Sequence, residues 1–351
     1  GGDVMESVLG PSSDPAAPTA LYMMEFLVNV LPANTPTATP YAGTYVFGYR
    51  TDPATTTADT YIGPVFVAAR GTPTAVQYVN NLPDTTATKV GVWKYSADQT
   101  LHWADPANLG MMMGMCSVPP VAGDPPQCFK YAGPIPVVPH LHGGEVPAAI
   151  DGGPDAWFLN QKTGYSTHGK GYYTYNYDPE ADAQNNFSIY RYPNSQEAGP
   201  LWFHDHLLGG TRINVYAGLA GAYLLTDPSL NLPQGMTATG LDYDPVNSPG
   251  TNTSLTIPLA LQDRMFNNAG QLYFPDLGLN PTEHPLWIPE FVGDTIVVNG
   301  RSWPYLQVDP RRYRFLMING SNARFYQLSL DKNVPMYVIG TDGGFLDNPV
   351  R

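Results

Sequence analysis

LYMMEFLVNV, residues 21–30, alternates so that Tyr22, Met24, Phe26, Val28 and Val30 share one face, as a half-buried strand requires. The same signature recurs in TAVQYVNNLP (74–83), GLAGAYLL (218–225), DTIVVNG (294–300) and RYRFLMING (312–320), each closed by Gly, Pro, Asn or Asp. Between these runs lie 35 glycines and 36 prolines with no fixed period, which argues against long helices. The class expected is all-β, built from Greek-key sandwiches or barrels. A chain of 351 residues is long enough for two domains. The change to polar, Pro-containing sequence at DPSLNLPQG (227–235) places the boundary there, giving domains 1–227 and 228–351. The second stops just after a strand-like MYVIG and a Gly-Gly turn, so it reads as truncated.

The charge balance of −13 comes from 17 basic and 30 acidic residues. Without a basic patch, nucleic acid is excluded as a partner. No apolar run approaches the roughly 18 residues that span a bilayer, and no basic segment followed by an apolar core opens the chain. Asn-x-Ser/Thr sequons at Asn186, Asn252 and Asn319, with a Thr/Pro/Ala-rich, Lys-poor composition, point to an extracytoplasmic or secreted protein. Cys116 and Cys128 bound the loop CSVPPVAGDPPQC, in which a local disulfide is expected. Met111, Met112, Met113 and Met115 just before it offer soft thioethers, but read more simply as an apolar loop or lid.

With seven histidines in the chain, one chance His-x-His pair is already unexpected, and two are present: His140/His142 in VVPHLHGG and His204/His206 in LWFHDHLLGG. On a strand, residues i and i+2 project from the same face, so each pair aims two imidazoles at one point. Four imidazoles are too many for ordinary core packing, and they suit copper, zinc, nickel or iron. Residue type alone does not choose among these; a zinc hydrolase using Asp151 or Asp205 as general base also fits. His102, His168 and His284 have no such partner and read as structural.

The wider sequence does choose. HLHGGEVPAAIDGGPDAWF (140–158) and LWFHDHLLGGTRINVYAGLAGAYLL (201–225) resemble the first-domain copper motifs of multicopper oxidases, especially the spore-coat laccase and bilirubin oxidase type. The match continues through residues 291–330 and IGTDGGFLDNPV (339–350), similar to the second cupredoxin domain of that branch, and weakly through GTYVFGY and YVNNLP. The resemblance implies tandem cupredoxin-like domains and a trinuclear copper cluster. His140 would bind its type 2 copper, His142, His204 and His206 its type 3 pair, and Asp151 would be the acid that delivers protons. Asp205, on the opposite face of its strand, is expected to bond backbone or a neighbouring strand. The family's remaining two His-x-His pairs and its type 1 site have no counterpart here, and no Cys adjoins a His. The chain is therefore expected to need a missing C-terminal cupredoxin domain or companion chain. It would then oxidise phenolic, aromatic or metal-ion donors with O2. A copper-binding or assembly protein without turnover is the alternative.

Overall fold

The computed structural model describes residues 7–96, 99, 101–108, 116, 117, 120–125, 128–160, 163–175, 185–227, 229, 230, 256–275, 282, 290–306, 308 and 310–351. The four clustered methionines, His284, the sequon at Asn252 and most of the expected boundary segment lie outside these residues. As the alternating runs require, strands dominate. In chain order they are β1 (Ser7–Leu9), β2 (Thr19–Val28), β3 (Thr44–Arg50), β4 (Thr57–Ala58) and β5 (Val65–Ala69). Next come β6 (Thr74–Asn80), β7 (Pro139–His142), β8 (Phe187–Tyr192), β9 (Gly199–Asp205) and β10 (Ala220–Thr226). The later part carries β11 (Thr256–Arg264), β12 (Thr295–Val298), β13 (Arg301–Ser302), β14 (Arg314–Asn319), β15 (Val338–Thr341) and β16 (Gly344–Val350). Two short helices, α1 (Gly91–Ser96) and α2 (Thr211–Ala217), are the only α-helices among the described residues.

One sheet has the order β1-β5-β10-β9-β7; a second runs β3-β2-β6-β8, with β4 pairing to β2. Both mix parallel and antiparallel pairs, because chain-adjacent strands repeatedly cross between sheets. Their inner faces meet through aromatic side chains. Tyr49 packs edge-on against Phe203 at 5.0 Å between ring centres and Tyr78 lies 6.3 Å from the same ring, while within the first sheet Phe66 stacks on its cross-strand neighbour Tyr223 at 5.9 Å. Burying each such ring contributes about 1.5–3 kcal/mol, enough to fix which face of β9 turns inward.

The opening stretch is more complex than its alternation. Leu21 and Met23 are fully buried on one face, Phe26, Val28 and Val30 are buried on the other, and Tyr22 and Met24 are only partly covered. The strand changes its buried face because its C-terminal half is overlaid by another part of the chain. Gly48 is what admits Phe26 there: a Cβ on it would lie 2.7 Å from the Phe26 ring and 2.8 Å from the Tyr61 carbonyl. The Ser302 amide also donates to the Val30 carbonyl.

Strands up to Thr226 and strands from Thr256 onward do not share a sheet. The later set forms the sheet β13-β12-β11-β14 and a separate β15-β16 hairpin. Polar contacts join the two sets: Tyr61 to Gln262 at 2.7 Å, Thr44 to the Gly270 carbonyl at 2.7 Å and Tyr216 to the Tyr273 carbonyl at 2.6 Å. On β14, Leu316 and Ile318 are buried while Phe315 and Met317 are exposed, and Phe325 beyond it is 96% exposed. Among the described residues no helix is long and apolar enough to cross a membrane. Cys116 and Cys128 form the expected disulfide.

Candidate metal centre

β7 and β9 run antiparallel at one edge of the first sheet, with His140 opposite His204 and His142 opposite Trp202. Because side chains alternate along both strands, this register places His140, His142, Trp202 and His204 on the same outer face. His206 follows just past β9, its amide donating to the Val138 carbonyl at 2.7 Å. The four rings cluster: His140 lies 5.8, 5.3 and 4.9 Å from His142, His204 and His206. One ligand atom from each of His140, His142 and His204 falls within 4.8 Å of the others; His206 stands outside this triple although its ring adjoins His140.

Two observations test whether these residues fit a metal. Imidazole nitrogens bind at about 2.0–2.1 Å, so two nitrogens on one tetrahedral ion sit about 3.3 Å apart; His142 Nδ1 and His204 Nε2 are 3.2 Å apart. The His206 Nδ1 is buried with no hydrogen-bond partner, a costly state unless a cation takes up its lone pair. The donor set fits a borderline metal such as copper.

The surroundings set orientation and charge. His204 Nδ1 donates to the Asp205 carbonyl at 2.7 Å, leaving Nε2 free as the ligand atom. Burial pushes the His204 pKa down to about 3, and the neighbouring histidines add to the effect, so the ring stays neutral and metal-competent. Burial likewise lowers the pKa of His206. His140 Nδ1 meets the Asp151 carbonyl, and the half-exposed Asp151 carboxylate lies 3.5 Å from the same nitrogen. Asp151 also ends the short 3-10 turn Ala148–Ile150, so turn capping and contact with His140 are both realised.

Asp205 points inward, as its place between two outward histidines requires. Its carboxylate accepts from the amides of Val138 (2.8 Å) and Leu207 (3.1 Å) and from Asn214 Nδ2 (2.9 Å). Asn214 is held in turn by Trp93 and the Pro136 carbonyl. His102 is exposed and His168 stacks on Tyr172 at 4.5 Å, so neither joins the cluster.

Sequence reasoning missed three contributors. Trp202 stacks against His204 at 4.2 Å and His142 at 5.2 Å; its position two residues before His204 was the available signal. Asn214 and Gly152 act through long-range contacts that no local pattern marks. Gly152 has φ +71°, and a Cβ there would collide with the Pro139 carbonyl and lie 2.9 Å from His140 Cα. Gly152→Ala is expected to cost about 1–3 kcal/mol and to move the Asp151 carbonyl off His140. Thermal unfolding together with copper retention after dialysis would check this; an unchanged melting midpoint would refute the close-approach argument.

No protein-family model matches the chain. Among curated proteins, it is 36% identical over 311 residues to Multicopper oxidase LPR1 homolog 1 of Oryza sativa subsp. japonica, covering 89% of this chain and 42% of that protein. It is 35% identical over 297 residues to the laccase of Bacillus subtilis, covering 82% of this chain and 45% of the laccase. The chain thus spans under half the length of these relatives. Among solved structures, the McoA multicopper oxidase of Aquifex aeolicus aligns with 99% of this chain and 52% of its own, with a TM-score of 0.54 at 22% identity, a likeness of fold. By the extent of these sequence matches, together with the all-β fold they share, the chain belongs to the multicopper oxidases.

Proposed function

We propose that this chain supplies half of the histidine ligands of a trinuclear copper site in a laccase-like oxidase. The enzyme would couple one-electron oxidation of phenolic, aromatic or metal-ion donors to reduction of O2 to water. The observation that carries this reading is the convergence of His140, His142 and His204 on one face of two paired strands. In it, His140 holds the type 2 copper and His142, His204 and His206 hold the type 3 pair. The 3.2 Å approach of His142 to His204 favours a shared ion for those two. When bound, copper supplies the one-electron redox steps between donor and O2. The chain's own residues set the conditions: His204 is kept neutral by burial, its tautomer is fixed by the Asp205 carbonyl, and Asp151 offers a solvent-reached carboxylate beside His140 for proton delivery.

The remaining histidines and the type 1 site come from a C-terminal cupredoxin domain or companion chain. The exposed Phe315, Met317 and Phe325 support such a partner, since apolar surface of this kind is normally covered. We take the chain itself as two cupredoxin-like domains, 1–227 and 228–351, and its setting as extracytoplasmic, which the disulfide favours.

The test is to assemble the chain with the remaining polypeptide, measure bound copper and assay O2 uptake with a phenolic donor. Copper-dependent O2 consumption is expected. A copper-loaded assembly without turnover would favour the assembly-protein alternative, and a colourless zinc-loaded one would overturn the oxidase reading.

A further inference from the structure

The proposed copper site has an oxidisable side chain in direct contact with it. Trp202 leans over both rings of the close pair, 4.2 Å from His204 at 34° and 5.2 Å from His142 at 36°. Neighbouring Phe203 and the Tyr49 ring that it meets at 5.0 Å lie on the opposite, inner face of the sheet. Trp202 is only half-buried, and its indole N–H makes no hydrogen bond among the described residues. An aliphatic residue or Phe would cover the two imidazoles as well, whereas an indole adds a readily oxidised ring and an ionisable N–H.

We propose that Trp202 is a protective electron donor to this site, an inference that rests on the copper reading above. When donor electrons run short and an oxygen-derived oxidant remains at the site, the indole gives up one electron to that oxidant and its N–H proton to water. The neutral indole radical then takes an electron and a proton from a phenol, which leaves as a phenoxyl radical. The net change is one electron from donor to site, with Trp202 restored. Where no phenol reaches it, the radical combines with superoxide, and the hydroperoxide formed on taking up a proton from water rearranges to open the indole ring, leaving a covalent record.

The test uses the 351-residue chain loaded with copper, reduced with ascorbate, exposed to hydrogen peroxide and mapped by peptide mass spectrometry. A zinc-loaded chain and Trp202→Phe serve as comparisons. Oxygen insertion at Trp202 several-fold above that at Trp303, which is 68% exposed and marks freely diffusing oxidant, is expected with copper but not with zinc. In Trp202→Phe, insertion should move to His142 and His204, and copper should be lost faster. Equal modification of Trp202 and Trp303, or intact histidines in Trp202→Phe, would overturn the proposal. Copper content is read separately, on the chain assembled with the remaining polypeptide: an assembly that binds no more copper than its His204→Ala/His206→Ala counterpart removes the copper reading and this inference together. Bound copper with unmodified Trp202 removes this inference alone.

Discussion

Replacing His204 and His206 together by alanine is expected to reduce copper retained after dialysis to background while leaving the fold in place. The fold should survive because β9 is held by backbone pairing with β10 and β7 through its whole length. Its inward side chains, Leu201, Phe203 and Asp205, are untouched. The metal should go because the best-prepared ligand in the cluster goes. His204 alone combines a fixed tautomer, a neighbouring imidazole nitrogen at 3.2 Å and a pKa of about 3, so protons do not compete for it until well below pH 6.5. Losing an outer partner of a metal ligand typically costs about 10–100-fold in affinity, and losing two ligands should exceed that. His206→Ala alone separates the roles: because His206 stands outside the close triple, part of the copper should remain. Elemental analysis with far-UV circular dichroism reads both variants. A double variant that keeps its copper and its fold would refute the assignment.

Much of this was legible because the relevant physics is local. Strand alternation alone puts His140 with His142 and His204 with His206, and predicts that Asp205 turns away from them; the observed bonds of Asp205 to Val138 and Leu207 agree. What alternation does not carry is which strands become neighbours. The pairing of His140 with His204 is a contact across 64 positions of sequence, and the seating of Gly152 against Pro139 depends on the path of a loop. LYMMEFLVNV illustrates the same limit inside one strand. Its period is right, but Leu21 and Met23 are as buried as Phe26 and Val28, because different layers cover its two halves. A one-sided amphipathic reading assumes one covered face, and this strand is covered on both.

Asp205 is where the second large effect is expected. Its carboxylate is fully buried and gathers three N–H donors from three parts of the chain: the residue before β7, the residue after the His-x-His pair, and α2. Asp205→Ala would strand all three, and leaving a buried donor unsatisfied costs about 1–3 kcal/mol each. A combined loss on the order of 3–5 kcal/mol is expected, with the β7–β9 edge loosened and the histidines with it. Asp205→Asn keeps an acceptor and should cost less, but it exposes a linkage hidden in the parent chain. Burial raises the Asp205 pKa to about 7, so its stabilising contribution is full below pH 3.8 and is lost as pH rises through about 7. His204, held near 3, has the opposite sign: its contribution is present above pH 6.5 and is lost as pH falls toward 3. Between pH 3.8 and 6.5 the two slopes oppose each other. In metal-free Asp205→Asn only the histidine slope remains, so unfolding free energy should fall by about 1.4 kcal/mol per pH unit on acidification across that window, relative to the parent. Urea titrations at pH 4, 5 and 6 would measure the difference, and parallel pH profiles for the two proteins would show that Asp205 does not change its protonation on folding.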